Sequence, residues 1–174
     1  WSTAADKTMQ SIVVSTIAKS TACDTPAMQK ITTSNNIDFD DLGNKKVALF
    51  VITSASDSTY DFISTIFFSQ MLQKLYLQAD RNGGTLNQQV YFLLDEFANI
   101  GQIPDFNKKL STTRSLGISI SIVVQSLDQL ESLYKDTYEN IIGNCDTQLF
   151  LGSQSIKTCE YFSKSLGQKT IRVK

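Results

Sequence analysis

The sequence contains no histidine. That excludes imidazole general-base catalysis, the Ser–His and Cys–His nucleophile pairs, and the commonest zinc ligand. The three cysteines, Cys23, Cys145 and Cys159, form no C-x-x-C pair. An odd number without such spacing fits a reducing cytosol, and small buried apolar residues are the expectation for all three. No apolar run approaches the ~18 residues that a membrane span needs, so this stretch is expected to be soluble. Neither sign of charge dominates, because 16 Lys and Arg against 17 Asp and Glu leave a net charge of −1. A protein that gripped nucleic acid with its whole surface would be more basic, so any such contact is local, on a loop or in a pore. None of the eight glycines supplies G-x-x-x-x-G-K-[ST], the loop whose backbone N–H groups and lysine cradle phosphates. Gly167-Gln168-Lys169-Thr170 has an interrupted Gly-Lys step and reads as a turn into a strand. The chain opens on Trp1 without Met or a targeting pattern, and Asp6 to Ala18 already reads as helix. A piece of a longer protein is the expectation.

What is present is a core. Apolar residues make up 41% and charged residues 19% of 174, which rules out a disordered or fibrous chain and fits one domain with a small appendage. Helical spacing of Met9, Ile12, Val13, Ile17 and Ala18 marks a helical opening from Ala4 to Lys30, with Pro26 breaking it or starting another turn. Thr32 to Asn44 turns to Ser, Asn and Asp and reads as a connector. The boundary is placed near Asn36, dividing residues 1–36 from residues 37–174.

Beyond it the period alternates between strand and helix. Lys45 to Thr53 holds a continuous apolar run, the pattern of a strand buried on both faces. Asp57 or Ser58 can cap a long helix to about Asp80, with Ile63, Phe67, Met71 and Leu75 along one stripe. Gly83-Gly84 is a turn. Gln89 to Leu94 is the second buried strand, Phe106 to Leu116 a helix stopped by Gly117, and Ile118 to Val124 the third strand. Leu127 to Asn144 divides into two short helices. Thr147 to Leu151 is a fourth strand, Ser155 to Leu166 a helix stopped by Gly167, and Thr170 to Val173 a last short strand. This order predicts an α/β fold with a mostly parallel sheet covered by helices on both faces.

Ligands of open α/β sheets bind at the carboxyl ends of the strands, and the unusual polar residues fall there. Asp95-Glu96 follows the apolar run Tyr91 to Leu94, the hhhhDE form of a Walker B element. Asp95 can hold Mg²⁺, directly or through water, and Glu96 can orient or deprotonate an attacking water. The alternative is a strand end with solvated acids. Gln125 ends the next strand, where a neutral amide can bond both a γ-phosphate and the attacking water; its alternative is a helix-capping amide. Arg114, in the last turn of the intervening helix, is either a stabiliser of phosphate charge or a surface arginine.

The stretch Val90 to Gly167 resembles the type IV secretion coupling proteins, the conjugative DNA-transfer ATPases of the TraG/TraD kind. The resemblance is carried, in order, by Leu93-Leu94-Asp95-Glu96-Phe97-Ala98-Asn99-Ile100-Gly101 and Ile103-Pro104-Asp105-Phe106. Arg114-Ser115-Leu116-Gly117-Ile118-Ser119, Val124-Gln125-Ser126-Leu127-Asp128-Gln129-Leu130 and Asn144-Cys145-Asp146-Thr147-Gln148-Leu149-Phe150-Leu151-Gly152 complete it. It implies part of a hexameric RecA-like P-loop NTPase motor, anchored at the cytoplasmic face of the cell membrane by N-terminal helices. Such a motor takes ATP and Mg²⁺, recruits a relaxase with single-stranded DNA, and feeds a type IV secretion channel.

On this resemblance the Walker B acids are Asp95 and Glu96, the sensor is Gln125 and the arginine finger is Arg114. Residues 1–36 would be the end of an all-helical inserted domain, and residues 37–174 the C-terminal part of the nucleotide-binding domain. The Walker A strand and loop are missing from the resemblance. In the RecA-like order that strand lies between Ile118–Val124 and Thr147–Leu151. The gap leaves a slot with unpaired backbone groups, and closure of the two strands, a neighbouring chain or self-association of the fragment is expected to compensate. A structural Arg114 paired to Asp105 is the alternative to the finger, and a non-catalytic interaction module with a degenerate motor fold is the alternative to the ATPase. Without a phosphate cradle, Asp95 and Glu96 only add negative charge beside an anionic ligand. Calorimetric titration of the isolated chain with ATP–Mg²⁺ is therefore expected to show weak binding, and a low-micromolar Kd would contradict this.

Overall fold

The computed structural model describes residues 9–14, 17, 25–34, 36–53 and 61–169. The chain divides into two compact units, Trp1–Asp38 and Phe39–Lys174.

In the first unit, residues 9–14 and 17 are helical; the remainder of the expected Asp6–Ala18 helix lies outside the described residues. Helix α1 is Pro26–Thr33. Pro26 starts it, since its fixed φ suits the first helical position and its missing N–H costs nothing there. The N-cap Thr25 accepts from the Met28 N–H at 3.3 Å. At the other end, the hydroxyls of Thr32 and Thr33 donate back to the carbonyls of Met28 and Gln29, and the chain leaves the helix extended at Ser34.

The second unit is built on a β-α-β crossover. Helix α2 (Asp61–Arg81) buries Phe68, Met71, Leu72, Leu75 and Ala79. Of the expected stripe, Met71 and Leu75 are in the core, while Ile63 and Phe67 sit at its margin. The proposed cap at Asp57 or Ser58 lies outside the described residues. Gly83 and Gly84 take φ of 82° and 108°, and the Gly84 N–H closes the helix on the Ala79 carbonyl at 2.8 Å. Strand β1 (Val90–Leu94) then pairs in parallel with β2 (Ile118–Ile122), Val90 opposite Ile118 and Leu94 opposite Ile122. Between them lie a 3₁₀ turn (Phe97–Ile100), helix α3 (Phe106–Thr113) and a second 3₁₀ turn (Arg114–Leu116) that Gly117 stops at φ 80°. Helices α4 (Leu127–Tyr134), α5 (Tyr138–Gly143) and α6 (Ile156–Leu166) follow, with Gly167 ending α6 as expected.

The sheet is smaller than the sequence pattern implies. Among the described residues it has two strands, not four. Lys45 to Thr53 is not a buried strand: it forms no ladder, and Phe50 and Ile52 are 87% and 96% exposed. Its entry is tied to the start of β1, where the Gln88 N–H donates to the Gly43 carbonyl and the Asn87 side-chain amide to Asn44 Oδ1, both at 2.9 Å. Past that point a hollow of about 810 Å³ lies between this segment and β1. Apolar composition alone does not make a strand when no backbone partner comes within ladder distance. The same hollow explains why β1 buries only Val90, Phe92 and Leu94 and leaves Tyr91 and Leu93 exposed.

Thr147 to Leu151 is likewise irregular, with Leu149 and Leu151 exposed. A hollow of about 970 Å³ separates it from β2. Closure of these two segments onto each other, one of the expected compensations, does not occur. The last expected strand, Thr170 to Val173, lies outside the described residues.

Two cysteines also depart from expectation. Cys159 is exposed and Cys145 half-buried, and both thiols are free. They donate to the carbonyls of Ser153 and Ile141 respectively. Burial, with Asp146 alongside, pushes the Cys145 thiol up, which disfavours a thiolate there. Cys23 lies outside the described residues.

Candidate active site

The site forms where the parallel ladder runs past the end of β1. The Val123 N–H donates to Leu94 and the Phe97 N–H donates to Val123, both at 3.0 Å, so pairing resumes two residues beyond Asp95. Phe97 is fully buried. Its ring lies 5.9 Å from Tyr134 at an interplanar angle of 1° and 5.0 Å from Phe106. The stretch that follows is pinned at intervals by Ile100, Ile103 and Phe106, all buried.

Polar groups fix the same stretch. The Ile103 N–H donates to the Tyr134 hydroxyl at 3.1 Å, and the Thr65 hydroxyl donates to the Ile100 carbonyl at 2.9 Å. Burial pushes the Tyr134 phenol up to about 12, so it stays a neutral partner for that N–H. Gly101 is required here: its φ is 83°, and a Cβ would come within 2.7 Å of the Thr65 hydroxyl.

Between Leu94 and Phe97 only two residues remain to bridge the ladder. Glu96 does so in the left-handed region, at φ 46° and ψ 49°. For a residue with a Cβ this conformation costs on the order of 1–2 kcal/mol and persists only where its surroundings over-determine it. The burial of Phe97 and its bond to Val123 supply that constraint. Asp95 is exposed, and its Oδ1 accepts the Glu96 N–H at 3.1 Å.

Gln125 comes from the end of β2. Its Nε2 donates to Glu96 Oε1 at 2.9 Å and Oε2 at 3.1 Å. The amide thus goes to the neighbouring carboxylate and not to the helix that follows. Gln129 and Ser153 hold its backbone. The Gln125 N–H donates to Gln129 Oε1 at 2.9 Å, and the Ser153 hydroxyl donates to its carbonyl at 3.2 Å. The spacing of Gln125 and Gln129 across a helix start was a signal for the first, whereas nothing in the sequence marks Ser153.

Arg114 is not part of this cluster. It sits before β2 while Gln125 sits after it. Its side chain is 89% exposed and makes a 3.5 Å ion pair with Asp146, a contact of little energy in water. The alternative partner, Asp105, pairs instead with Lys108 at 3.4 Å.

Among the described residues no three Asp, Glu or Cys side chains converge as a metal-ligating group. Asp95 stands there as a single exposed carboxylate. No described helix is long and apolar enough to cross a membrane.

Comparison with known proteins gives a consistent result. A family model described as "Type IV secretory system Conjugative DNA transfer" matches residues 1–174. The chain is 25% identical over 151 residues to protein VirD4 of Rhizobium radiobacter, covering 86% of this chain and 22% of that protein. It is 24% identical over 134 residues to the conjugal transfer protein TraG of Escherichia coli, covering 72% and 21%. The chain thus spans about a fifth of the length of these relatives. No solved structure matches it significantly.

The geometry makes a clear distinction between the anchor and the reactive pair. Phe97→Ala is expected to cost about 3–5 kcal/mol of stability in urea unfolding. Gln125→Ala, exposed and outside the core, is expected to stay within about 0.5 kcal/mol. Equal losses in the two variants would contradict this account of the site.

Proposed function

The chain belongs to the type IV secretory system conjugative DNA-transfer family, and we propose that it forms part of a membrane-anchored, hexameric coupling ATPase. In this reading the whole protein recruits a relaxase bound to single-stranded DNA and drives the DNA towards the components of a type IV secretion channel, from the cytoplasmic face of the membrane. Residues 1–36 are then the end of an all-helical inserted domain. Residues 37–174 are the C-terminal part of a RecA-like nucleotide-binding domain.

One observation carries the reading: a neutral amide from the segment after β2 lies on both oxygens of an acid just past β1, at the carboxyl ends of a parallel pair. That is where such sheets bind their ligands. Glu96 orients an attacking water and takes its proton. Gln125 fixes the carboxylate and faces the side from which a terminal phosphate would be attacked. Asp95 holds Mg²⁺ through water. ATP and Mg²⁺ are the cofactors of this reading, and the ion neutralises charge on the phosphate oxygens when bound. The G-x-x-x-x-G-K-[ST] cradle is not in this chain and must come from elsewhere in the whole protein.

Arg114, at the opposite end of β2 from Gln125, serves a neighbour's nucleotide across the ring. Its exposure and weak ion pair leave it available for that. A second reading, a non-catalytic interaction module with a degenerate motor fold, is favoured by the missing phosphate cradle alone.

The two readings separate in the full-length protein. Glu96→Gln is expected to abolish ATP hydrolysis, and Arg114→Ala to lower it by ~10³–10⁵, the worth of an arginine finger where one is used. Nucleotide binding and melting temperature are expected to hold in both. Mixing the two variants is expected to restore some turnover, because each supplies what the other lacks. Unchanged turnover in Glu96→Gln would overturn the role of Glu96, and an unsubstituted protein without turnover would overturn the ATPase reading. Turnover spared with a lowered melting temperature in Arg114→Ala would make that residue structural.

A further inference from the structure

Gln125 lies beyond Ile122, the last residue of β2, and its side chain is exposed. A glutamine in that position loses substantial rotamer freedom when it is held on one partner, and two hydrogen bonds to an exposed carboxylate offset little of that cost. What fixes it acts through the backbone, from two directions.

The first is Gln129. Ser126 is the N-cap of α4, and Gln129 stands at the third helical position after it. From there its Oε1 reaches back to accept the Gln125 N–H at 2.9 Å. This resembles the reach of a capping box, shifted one residue upstream. Only the acceptor oxygen of Gln129 takes part.

The second is Ser153, in the turn that leads into α6. Its hydroxyl donates to the Gln125 carbonyl at 3.2 Å while accepting the Ser155 N–H at 3.2 Å. That turn is itself fixed against α4. The Ser155 hydroxyl donates to Asp128 Oδ2 at 2.6 Å, the Leu127 N–H donates to the Thr158 hydroxyl at 3.0 Å, and Lys157 pairs with Glu131. Three polar contacts thus lace the first turns of α4 and α6 together, with the peptide unit of Gln125 clamped beside them.

We propose that Gln129 and Ser153 are positioning residues for the Gln125–Glu96 pair: they hold the backbone of Gln125 so that its amide meets the carboxylate that activates water. The proposal rests on the hydrolytic reading above. Neither residue touches Glu96. Each acts through Gln125, by a backbone bond that a side chain of different chemistry cannot make. For Gln129 the needed group is an acceptor, which glutamate also provides. For Ser153 it is a hydroxyl, which threonine also provides.

The test is steady-state ATP hydrolysis by the full-length protein carrying Gln129→Leu, Gln129→Glu, Ser153→Ala or Ser153→Thr, with melting temperature and amide hydrogen exchange at Gln125 measured alongside. Gln129→Leu and Ser153→Ala are expected to lower kcat by about tenfold, towards the ~10²-fold that an ångström of misplacement can cause. KM for ATP is expected to stay within about twofold, since nucleotide contacts are untouched. Exchange at the Gln125 amide should quicken in Gln129→Leu and stay slow in Gln129→Glu. The conservative variants Gln129→Glu and Ser153→Thr should recover most of the lost turnover. Full turnover in Gln129→Leu and Ser153→Ala would overturn the positioning roles alone. A kcat loss that follows melting temperature, with no recovery in the conservative variants, would make both residues merely structural. An unsubstituted protein without turnover would overturn the functional reading, and this inference with it.

Discussion

The site depends on the burial of one aromatic ring. Phe97 packs against Tyr134 and Phe106, which also pack against each other, and its N–H pairs with the Val123 carbonyl. These constraints fix the chain on the far side of Asp95 and Glu96 as firmly as β1 fixes the near side. Two residues must then turn the backbone within a span that admits few conformations, and Glu96 takes the left-handed one. A core residue typically contributes several kcal/mol, more than the strain at Glu96, so the strained acid is held rather than relaxed. The carboxylate stands where Gln125 can reach it because the same ladder that positions Phe97 also positions the end of β2.

Around this ordered centre the sheet is incomplete on both flanks. Hollows of about 810 Å³ and 970 Å³ lie against β1 and β2. Both are bordered by segments with apolar side chains and unladdered backbone, residues 45–53 and 147–151. The buried side chains of the β1–β2 pair, α2 and the aromatic rings belong to one apolar cluster, while the flanking segments carry exposed apolar residues such as Phe50, Ile52 and Leu151.

Much of this was legible in the sequence because it is written in local pattern. The run Val90 to Leu94, the stop at Gly117 and the alternation in Ile118 to Ile122 each follow from short-range preferences, and the structure places elements there. Asp95, Glu96 and Gln125 were legible as candidates because they end those strands. Lys45 to Thr53 misled because its Val- and Ile-rich composition is that of a strand, whereas a strand also needs a neighbour at ladder distance. The partners of Arg114 were equally opaque. Asp105 is close in sequence but faces Lys108, and Asp146 arrives from across the fold. Gln129 bonds a backbone N–H four residues away, which its spacing marks, whereas tertiary packing alone brings Ser153 to the Gln125 carbonyl.

The central claim is that Glu96 and Gln125 work as one unit, and a double-mutant cycle on ATP hydrolysis by the full-length protein tests it most directly. Turnover is compared in the unsubstituted protein, Glu96→Gln, Gln125→Ala and the double variant. If the amide acts by holding the carboxylate, removing it after Glu96 is gone costs little more, and the double variant is expected within about twofold of the worse single one. Losses that multiply, as they do for independent sites, would contradict the account.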